Sequence, residues 1–547
     1  MQLFKNIFLA FTNRERAVFL AAAAAAIASL AFVSAGVIAE TTRVVPAAGG
    51  TYTEGMVGQP EYVNPVMASS ETDLSLVKLV YQNIPDIASS IEVSPDGRTW
   101  TVRLKQGLRW QDGQKLTSDD VIFTVESIQN PDAHSPLYKS WQGVAVNRVS
   151  ELEVQFSLIN PYAFFGDDLA NLYILPKHLF ASAPPGNWHL SDYNLKPVGS
   201  GPYEFASYDR RPDGTITDYH LQSWSGYNGA KPLISDFNFK FFGNTDDLIK
   251  SYDDGSVDGM GGLAYGDLAK IERPYRLTAW PTSGYYAVFW NQSQSIPLED
   301  TAVREALSAA VDRNALVADI LGGRGFPELG PIPPAAPYYV PTPQTSSASF
   351  ASTTLTADGW LPGPDGMRAK IVRGAAIPLA INLSVPDVGF LVKTADALAA
   401  DWQAIGVSTT ISAVDPQSLL ANSVKNRDYE ALLFGNVLGP SSDIYAFWDS
   451  SERFAPGLNL AIYDNPRVDG LIEAARMELG NATRTAEFAQ AEQIIASDYP
   501  AAFLYSPDYL FVTGDNVRGV SPAFIADPSD RFLSAGSWYL NTARVLK

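Results

Sequence analysis

Cysteine is absent from all 547 residues of this chain. Disulfide bonds, thiolate nucleophiles, Cys-ligated zinc and iron–sulfur clusters are therefore excluded, and so is lipid attachment through an N-terminal cysteine. Basic residues are also scarce, because 39 Lys and Arg stand against 59 Asp and Glu, which gives a formal net charge of −20. A nucleic-acid partner requires a basic surface, so this balance argues against one.

The residues that usually identify an enzyme or a metal site are sparse as well. The chain has four histidines, and no two lie within four residues of one another, so the local spacing of a zinc site is missing. The G-x-S-x-G nucleophile elbow and the Walker A loop are also missing. We interpret the glycine-rich segment 259–264 as a turn, because no clear strand precedes it. We therefore expect no metal, no cofactor and no catalytic residue.

One long hydrophobic run stands near the start of the chain. Residues 17–39 carry no charged side chain, and as a helix they would span about 35 Å, enough to cross a hydrocarbon core of about 30 Å. Arg14 and Arg16 precede the run, so the positive-inside rule places residues 1–16 in the cytoplasm and the rest outside. A cleaved signal peptide is the alternative, although its apolar core is usually about 7–15 residues long. Residues 40–50 are interpreted as a linker.

The exported part alternates between strand and helix patterns. Residues 98–104 place apolar side chains at every second position, which predicts a strand. Thr117 and Asp120 have the spacing of a capping box at the start of a helix. Residues 381–385 and 407–413 alternate again, and a helical stripe lies between them, so residues 381–413 predict a βαβ unit with parallel strands. The fold class is therefore α/β.

Aromatic residues are plentiful, with 11 Trp, 25 Tyr and 27 Phe. Several stand beside predicted turns: Tyr62, Tyr138, Trp141, Tyr285, Tyr286, Trp290, Tyr445 and Trp448. These side chains would also suit a hydrophobic core. In an exported α/β protein without a visible catalytic set, aromatic-rich junctions favour a ligand cleft over an active site.

Five stretches of the chain together resemble one protein family. They are SPDGRTWTVRLKQGLRWQDGQKLTSDDVIFTVE (94–126), LANLYILPKHLF (169–180), PVGSGPYEF (197–205), VFWNQSQSIPLEDTAVREALSAAVDRNALV (288–317) and YDNPRVDGLIEAAR (463–476). In this order and spacing, they resemble the family 5 extracellular solute-binding proteins, the peptide-binding components of ABC importers. The similarity extends over about residues 50–530.

The resemblance implies a two-lobed, periplasmic-binding-protein-like fold of type II, in the large cluster that carries an additional subdomain. Lobe I would comprise residues 51–283 and 506–547, with the subdomain at about 85–196, and lobe II would comprise residues 284–505. The chain would then cross between the lobes twice. Two crossings permit a hinge motion that closes the lobes around a ligand.

The resemblance also implies how a peptide would be held, and the chain departs from that pattern twice. In peptide binders an aspartate after a second-lobe strand pairs with the ligand's amino terminus, but the matching position here is near Val437, with Asp443 offset. In dipeptide binders an arginine after an earlier strand takes the ligand carboxylate, but LSVPD (383–387) contains none. Burying an unpaired charge is costly, so a zwitterionic dipeptide should bind poorly. Longer peptides or a non-peptide ligand are favoured.

We expect ligand contacts from both lobes. The loop after the first strand and the junction between the lobes would face the cleft from one side, and the loop after a second-lobe strand from the other. Asn291 equally suits a turn or a cap. The candidate residues are Gly58, Gln59 and Glu61 in the first loop, Tyr285 and Asn291 at the junction, and Asn436, Asp443 and Trp448 in the second lobe.

Together these features predict a non-enzymatic receptor that captures peptide-like ligands outside the cytoplasm and delivers them to the permease of an ABC importer. We expect a monomer held at the cytoplasmic membrane by residues 17–39, because the chain has no cysteine for a lipid anchor. A sensory or chaperone-like binding protein on the same fold is one alternative. An exported hydrolase is another, and it would turn over a peptide that a receptor returns intact.

Overall fold

A long helix precedes the folded part of the protein. The computed structural model describes residues 11–341, 346–372, 374–521 and 524–547. Helix α1 (Asn13–Thr41) includes a 22-residue segment, Asn13–Ser34, that is long and apolar enough to cross a membrane and is not buried by the rest of the chain. The helix thus extends beyond both ends of the expected run at 17–39, and residues 1–10 of the expected cytoplasmic tail lie outside the described residues.

The other helices alternate with strands along the chain. They are α2 (Glu71–Val80), α3 (Ile84–Ile87), α4 (Ser118–Ile128), α5 (Tyr138–Trp141), α6 (Phe165–Ala170), α7 (Lys177–Phe180), α8 (Thr245–Asp253), α9 (Ile296–Glu299), α10 (Thr301–Ala310), α11 (Arg313–Leu321), α12 (Ala348–Ala357), α13 (Gly389–Ala404), α14 (Pro416–Ser418), α15 (Tyr445–Trp448), α16 (Pro466–Met477) and α17 (Asn481–Asp498). A 3₁₀ helix follows at Pro528–Ser537.

The strands are β1 (Thr42–Ala47), β2 (Thr51–Val57), β3 (Ala88–Val93), β4 (Thr99–Leu104), β5 (Ala145–Ser150), β6 (Glu153–Ser157), β7 (Tyr203–Arg210), β8 (Ile216–Ser223), β9 (Asp236–Phe242), β10 (Gly259–Gly261), β11 (Arg276–Pro281), β12 (Gly284–Trp290), β13 (Gly325–Pro327), β14 (Leu361–Pro362), β15 (Arg368–Val372), β16 (Ala375–Pro378), β17 (Ala380–Pro386), β18 (Ser408–Val414), β19 (Ala431–Val437), β20 (Ala501–Thr513) and β21 (Asn541–Leu546).

The main sheet runs β18-β17-β19-β12-β20-β10-β2-β9-β8-β7, and one strand joins its two parts. Residues 501–505 of β20 pair with β12, whereas residues 508–513 pair with β11 and residues 511–513 also with β10. Strands β11 and β12 follow each other directly and both pair antiparallel with β20. The chain therefore passes from one part of the sheet to the other on two neighbouring strands, at residues 282–283 and 506–507.

Two main hydrophobic cores lie on opposite sides of this crossing, and a smaller cluster packs α8 against β10. The first core is built from residues between 52 and 241 together with Trp280 and residues between 509 and 538, and it includes the separate sheet β3-β4-β6-β5. The second core covers both faces of the β18-β17-β19-β12 part of the sheet with residues between 285 and 505. Phe164 is the exception, because it comes from the first part of the chain and is buried in the second core.

Elements with strong local signals form as the sequence predicts. Trp100, Val102 and Leu104 point inward from β4. Thr117 and Asp120 make both hydrogen bonds of the capping box at the start of α4. Strands β17 and β18 are parallel and are joined by α13, which confirms the βαβ unit. The carboxyl ends of β17, β18 and the parallel strand β19 consequently lie at one edge of the sheet.

Two expectations are corrected. Residues 40–50, expected as a linker, contain the end of α1 and strand β1, which pairs antiparallel with β21 from the other end of the chain. The segment 259–264, interpreted as a turn, begins with β10, which lies between β2 and β20. Glycine suits this strand, because a Cβ at Gly259 would lie 2.1 Å from the Tyr52 hydroxyl and one at Gly261 would lie 2.2 Å from the Tyr509 hydroxyl. Neither β1 nor β10 has the alternation of apolar and polar residues that would have predicted a strand.

Candidate ligand-binding site

A cavity of about 410 Å³ lies at the edge of the sheet where β17, β18 and β19 end. Its opposite wall comes from Tyr509 and Ile525 of the first core and from Pro528, which begins the 3₁₀ helix. The crossing residues Thr282 and Pro507 also line it. Ligands of α/β proteins commonly bind at the carboxyl ends of parallel strands. This cavity is therefore the candidate site.

The lining of this cavity is apolar and carries no charge. Its side chains are aromatic, aliphatic and proline groups, with a few neutral polar groups among them. Within the described part of the chain, no Asp, Glu, Lys or Arg contributes to the wall. The lining residues are Thr282, Ser283, Gly284, Tyr285, Tyr286, Pro386, Val388, Leu391, Pro416, Leu420, Phe434, Gly435, Asn436, Val437, Pro507, Tyr509, Ile525, Ala526 and Pro528.

Tyr285 connects three of the expected site residues. It is the second residue of β12, opposite Asn436 of β19, and its hydroxyl accepts hydrogen bonds from Asn436 Nδ2 at 2.9 Å and from Trp448 Nε1 at 3.1 Å. All three side chains are buried. Burial raises the pKa of Tyr285, so the phenol stays neutral. The structure thus brings Tyr285, Asn436 and Trp448 together, and two of them line the cavity.

Tyr286, the next residue, lies on the other face of the sheet. Its ring packs edge-on against Phe390 with the ring centroids 5.3 Å apart, and it also contacts Tyr505. Gly435 leaves the room for this ring, because a Cβ there would come within 2.9 Å of it. Neighbouring side chains in a strand point to opposite faces. Tyr285 and Tyr286 therefore frame the cavity from both faces of the sheet.

A buried ion-pair network supports the opposite wall. Arg531, which is fully buried, contacts Glu54 at 3.0 Å and Glu71 at 2.7 Å. Tyr509 donates a 3.5 Å hydrogen bond to Glu71. Burial raises the pKa of Glu54, and the Arg531 guanidinium opposes that shift. The network ties β2, α2 and β20 to the 3₁₀ helix that begins at Pro528, and so fixes the wall that this helix supplies.

A second cavity, of about 590 Å³, adjoins the first and shares Thr282, Tyr286, Pro507 and Tyr509 with it. Its lining differs in charge, because Asp319, Arg324, Lys393 and Asp508 contribute to it. The two cavities lie on either side of the crossing strands and meet at Tyr286 and Tyr509. Charged groups are thus available next to the apolar cavity but not inside it.

Residues 162–165 make a second contact between the two cores. The backbone N–H of Ala163 donates to the carbonyl of Arg476 at 2.7 Å. Phe164 stacks on Phe488 with the ring centroids 6.1 Å apart, in the second core. Phe165 points the other way and packs on Trp100 in the first core, at 5.4 Å. Two successive side chains therefore join two different cores.

Asp443, an expected ligand partner, belongs to this contact. Its Oδ2 lies 2.9 Å from Arg476 Nε, and the Tyr162 hydroxyl approaches it at 3.4 Å. Arg476 also stacks on Tyr162 and Tyr445. Burial raises the pKa of Asp443, and Arg476 opposes the shift. Burial and the neighbouring carboxylates raise the pKa of Asp168, beside this group, to about 7. Asp443 is thus engaged by Arg476 and does not line the cavity.

The structure does not bring the other expected residues to the cavity. Gly58 and Gln59 line a separate surface cavity, where Gln59 accepts a 2.8 Å hydrogen bond from the backbone of Ile216. The backbone of Glu61 donates to Asp73 at 2.8 Å. Asn291 follows the far end of β12, and its side chain donates to the carbonyl of Arg427 and caps the turn at Ser293. The turn role considered for Asn291 is the one the structure supports.

Comparison with known proteins agrees with this architecture. The family described as bacterial extracellular solute-binding proteins, family 5 middle, matches residues 82–454. The chain belongs to the family 5 extracellular solute-binding proteins. Within this family, it is 24% identical over 498 residues to the oligopeptide-binding protein AppA of Bacillus subtilis (strain 168), covering 87% of this chain and 89% of AppA. It is 26% identical over 512 residues to the dipeptide-binding protein of Escherichia coli (strain K12), covering 86% and 91%.

Solved structures of similar shape are those of two-lobed binding proteins. The substrate-binding protein CtaP of Listeria monocytogenes superposes with a TM-score of 0.78 at 23% identity, covering 90% of this chain and 99% of CtaP. AppA of Bacillus subtilis, solved with a nonapeptide, superposes with a TM-score of 0.70 at 23% identity, covering 91% and 100%. The expected fold is thereby confirmed. From here on, the two parts of this solute-binding protein are called lobes.

Sequence reasoning missed most of the cavity wall. Val388 and Pro416 stand two positions after the ends of β17 and β18, so the predicted βαβ unit could have identified them as residues at the carboxyl ends of strands. Ile525 and Pro528 carry no such signal. They reach the cavity only because the chain returns to the first core after β20.

Proposed function

We propose that this protein is an extracytoplasmic receptor that closes two lobes around a peptide-like ligand and delivers it to an ABC permease. The observation that carries the proposal is the cavity at the ends of β17, β18 and β19, walled on the other side by the first core. Membership of family 5 supports the same role, and the relatives compared above are named as binding proteins. The receptor binds its ligand without chemical change.

The lobes are assigned from the cores and the crossings. Lobe I comprises residues 51–283 and 506–547, with a subdomain at about 85–196, and lobe II comprises residues 284–505. The division is supported by two separate hydrophobic cores and by crossings at residues 282–283 and 506–507. Closure turns the lobes about these crossings, and the Phe164 contact holds them together on the side of the subdomain.

The charge-free lining indicates how the ligand lies. A free amino or carboxylate terminus inside the first cavity would lose its hydration without gaining a partner, which costs several kcal/mol. The adjoining cavity offers Asp319, Arg324, Lys393 and Asp508. We therefore place an uncharged, apolar part of an extended ligand in the first cavity and its charged end in the second. This arrangement suits peptides longer than two residues.

Helix α1 places the receptor at the membrane in this proposal. Arg14 and Arg16 lie at its start, and the positive-inside rule puts them in the cytoplasm. The lobes are then held outside as a monomer, beside the permease, and tethering raises their effective concentration there. A signal peptide would give the same location without the tether.

Native mass spectrometry of the full-length protein in mild detergent, before and after incubation with a mixed peptide library, tests the proposal. We expect a heterogeneous series of bound peptides that dissociate with unchanged masses. New fragments of the supplied peptides would contradict it and favour the hydrolase. Binding of a metal complex or a sugar alone would overturn the peptide assignment and leave the fold unaffected. Intact peptides bound by a protein whose gene has no neighbouring permease and ATPase genes would favour the sensory or chaperone-like role.

A further inference from the structure

The end of α1 continues directly into a two-stranded ribbon. Helix α1 ends at Thr41, and β1 begins at Thr42, without an intervening loop. Strand β1 pairs antiparallel with β21 from Thr42 opposite Leu546 to Ala47 opposite Asn541. The backbone N–H of Lys547 donates to the carbonyl of Thr41 at 2.9 Å. The last strand of the chain is thus fastened to the base of the helix.

The ribbon stands apart from the rest of the fold. It forms a sheet of its own, and every residue of β21 is exposed. Just beyond the far end of β1, the backbone N–H of Gly49 donates a hydrogen bond to the carbonyl of Leu233 in lobe I, at 2.8 Å. The ribbon is therefore the structural connection between the helix and the lobes, and its faces are free to contact something outside the chain.

The charge of the ribbon is opposite to that of the protein. Residues 42–47 and 541–547 contain Arg43, Arg544 and Lys547 and no Asp or Glu, in a chain with a net charge of −20. Within the described residues, none of these three cations forms an ion pair with an acidic side chain. Glu40, at the end of α1, is the one acidic residue within three positions of the ribbon, and it forms none of these ion pairs either, so the three cations can take counter-charges from outside the protein.

Apolar side chains are exposed among these cations. Val44 is 55% exposed, Val545 38% and Leu546 78%. In an antiparallel pair, residues opposite one another share a face, and the faces alternate along each strand. Leu546, Val44 and Arg544 consequently share one face of the ribbon, and Arg43 shares the other with Val545. Both faces combine cationic and apolar groups, as at a membrane interface.

The position of the ribbon matches the depth of lipid headgroups. The uncharged run ends at Ala39, and two further helical residues add about 3 Å before β1 starts. A bilayer has a hydrocarbon core of about 30 Å and a total thickness of about 40–45 Å, so its headgroup layer is about 5–7 Å thick on each side. The end of the ribbon that carries Arg43, Leu546 and Lys547 lies at this depth, whereas the far end is neutral.

We propose that the ribbon of β1 and β21 is a membrane contact that binds anionic phospholipid headgroups and holds lobe I at a fixed orientation on the bilayer. The proposal rests on the anchoring role of α1 given above. Each basic residue near an anionic surface contributes about 1 kcal/mol, which corresponds to about fivefold in binding.

The absence of cysteine makes a direct test possible, because a single introduced cysteine is the only site for a thiol label. Leu546→Cys in the full-length protein is labelled with the fluorophore NBD and reconstituted into nanodiscs of phosphatidylcholine alone or with 30% phosphatidylglycerol. We expect a blue-shifted emission that doxyl lipids quench, stronger with phosphatidylglycerol and weaker in 0.5 M salt. A label at Leu190→Cys, which is 74% exposed in the subdomain, should not respond.

Charge variants provide the matched comparison. In the labelled background, changing Arg43, Arg544 and Lys547 together to Gln should abolish the dependence on phosphatidylglycerol. Changing the exposed Lys139, Lys231 and Lys425 together to Gln removes the same charge and should leave the dependence intact. An equal loss of the phosphatidylglycerol dependence in both triple variants would overturn the proposal. So would a Leu546 label that does not respond to phosphatidylglycerol in the unsubstituted ribbon.

Vesicle flotation after a carbonate wash separates this proposal from the anchoring role of α1. If the protein floats but the emission of its Leu546 label does not depend on lipid charge, the anchoring role of α1 is supported and the ribbon contact is refuted. If the protein does not float, but its Leu546 label still responds when the protein is added to phosphatidylglycerol vesicles, the ribbon contact is supported and the anchoring role of α1 is refuted. If the protein does not float and its Leu546 label does not respond to phosphatidylglycerol, both the anchoring role of α1 and the ribbon contact are refuted.

Discussion

The hydroxyl of Tyr285 accepts two hydrogen bonds beneath the apolar cavity, and removing it leaves both donors buried. In Tyr285→Phe, the side-chain N–H groups of Asn436 and Trp448 lose their acceptor. A buried donor without a partner costs about 1–3 kcal/mol. We expect a loss of unfolding free energy of that size, measured by urea denaturation of the full-length protein in detergent.

Tyr286→Phe is the matched control for this change. It removes the same hydroxyl from the next residue, which makes no side-chain hydrogen bond within the described residues and lies on the other face of the sheet. Its stability should stay within about 0.5 kcal/mol of the parent, as for substitutions that remove no buried interaction. Equal losses in the two variants would show that the hydrogen bonds at Tyr285 contribute nothing specific.

Two carboxyl groups, those of Glu328 and Glu492, are buried in lobe II and line neither of the two adjoining cavities. Burial raises the pKa of Glu492 to about 9, and the nearby Glu328 adds to the shift. Burial also raises the pKa of Glu328 well above its usual range, although Arg313 opposes this. A carboxyl whose pKa is higher in the folded state contributes stability at low pH that is lost as the pH rises from about 4.5 toward about 9. Glu492 is therefore neutral at pH 7.

Glu492→Gln tests this assignment, because an amide cannot ionise. The variant should match the parent in thermal stability at pH 5 and exceed it increasingly at pH 7 and pH 9. Differential scanning calorimetry at the three pH values measures the difference, in which the titrations common to both proteins cancel. Glu126→Gln, on the exposed side of α4, should show no such trend. A constant difference between Glu492→Gln and the parent would mean that Glu492 is charged in the folded protein.

At the scale of elements, the segment that carries Phe164 and Phe165 joins the lobes through two adjacent rings. Phe164→Ala removes a ring from the second core and Phe165→Ala removes one from the first, each at a cost of about 3–5 kcal/mol if the core does not relax. Of these two rings, Phe164 is the one that is buried in the opposite lobe. We expect Phe164→Ala to increase the fraction of open molecules without ligand.

Spin labels on Leu190→Cys and Lys425→Cys, one in each lobe, measure this opening as the distance between the two labels, by double electron–electron resonance. Phe164→Ala should broaden the distance distribution and shift it to longer values, whereas Phe165→Ala should lower the melting temperature and leave the distances unchanged. Identical distributions in the two variants would contradict a closing role for Phe164.

The elements also divide into those the sequence could predict and those it could not. The capping box of α4 and the unit β17-α13-β18 follow from patterns within a few turns of chain. The pairing of β1 with β21 brings together residues about 500 positions apart and buries little, so neither periodicity nor proximity in the sequence reveals it. Strand β10 is Gly-Met-Gly, which has no intrinsic preference for a strand, and its neighbours alone define it.

The candidate site divides in the same way. Tyr285 and Asn436 were expected from the family resemblance, at the junction and in the second lobe, and both line the cavity. Asn291 belongs to the same junction, but the seven-residue strand β12 places it about 20 Å from Tyr285, and strand direction was not available from sequence alone. Asp443 was expected to face a ligand, and its partner Arg476 lies 33 residues away on a helix whose orientation no local pattern specifies.

At the scale of the whole molecule, the charge-free cavity between the lobes makes a prediction about ligands. Peptides with acetylated amino termini and amidated carboxyl termini should bind at least about tenfold more tightly than free dipeptides of the same sequence, because a buried unpaired charge costs several kcal/mol. Isothermal titration of the full-length protein with matched pairs measures the ratio. For free peptides, affinity should rise with length as the termini leave the cavity. Tighter binding of free dipeptides would contradict the assignment of the first cavity.

The strand β20 has a mechanical consequence for the way in which the lobes can move. It pairs with β12 in lobe II and with β11 in lobe I. The two backbone connections between the lobes, at residues 282–283 and 506–507, therefore lie side by side and move together. Those hydrogen bonds lie within each lobe, so at the crossing the lobes are joined by the backbone segments 282–283 and 506–507, which can twist by changing their dihedral angles but cannot lengthen. Closure is therefore expected as a rotation about these two segments, and a ligand between the lobes acts on the angle of that rotation.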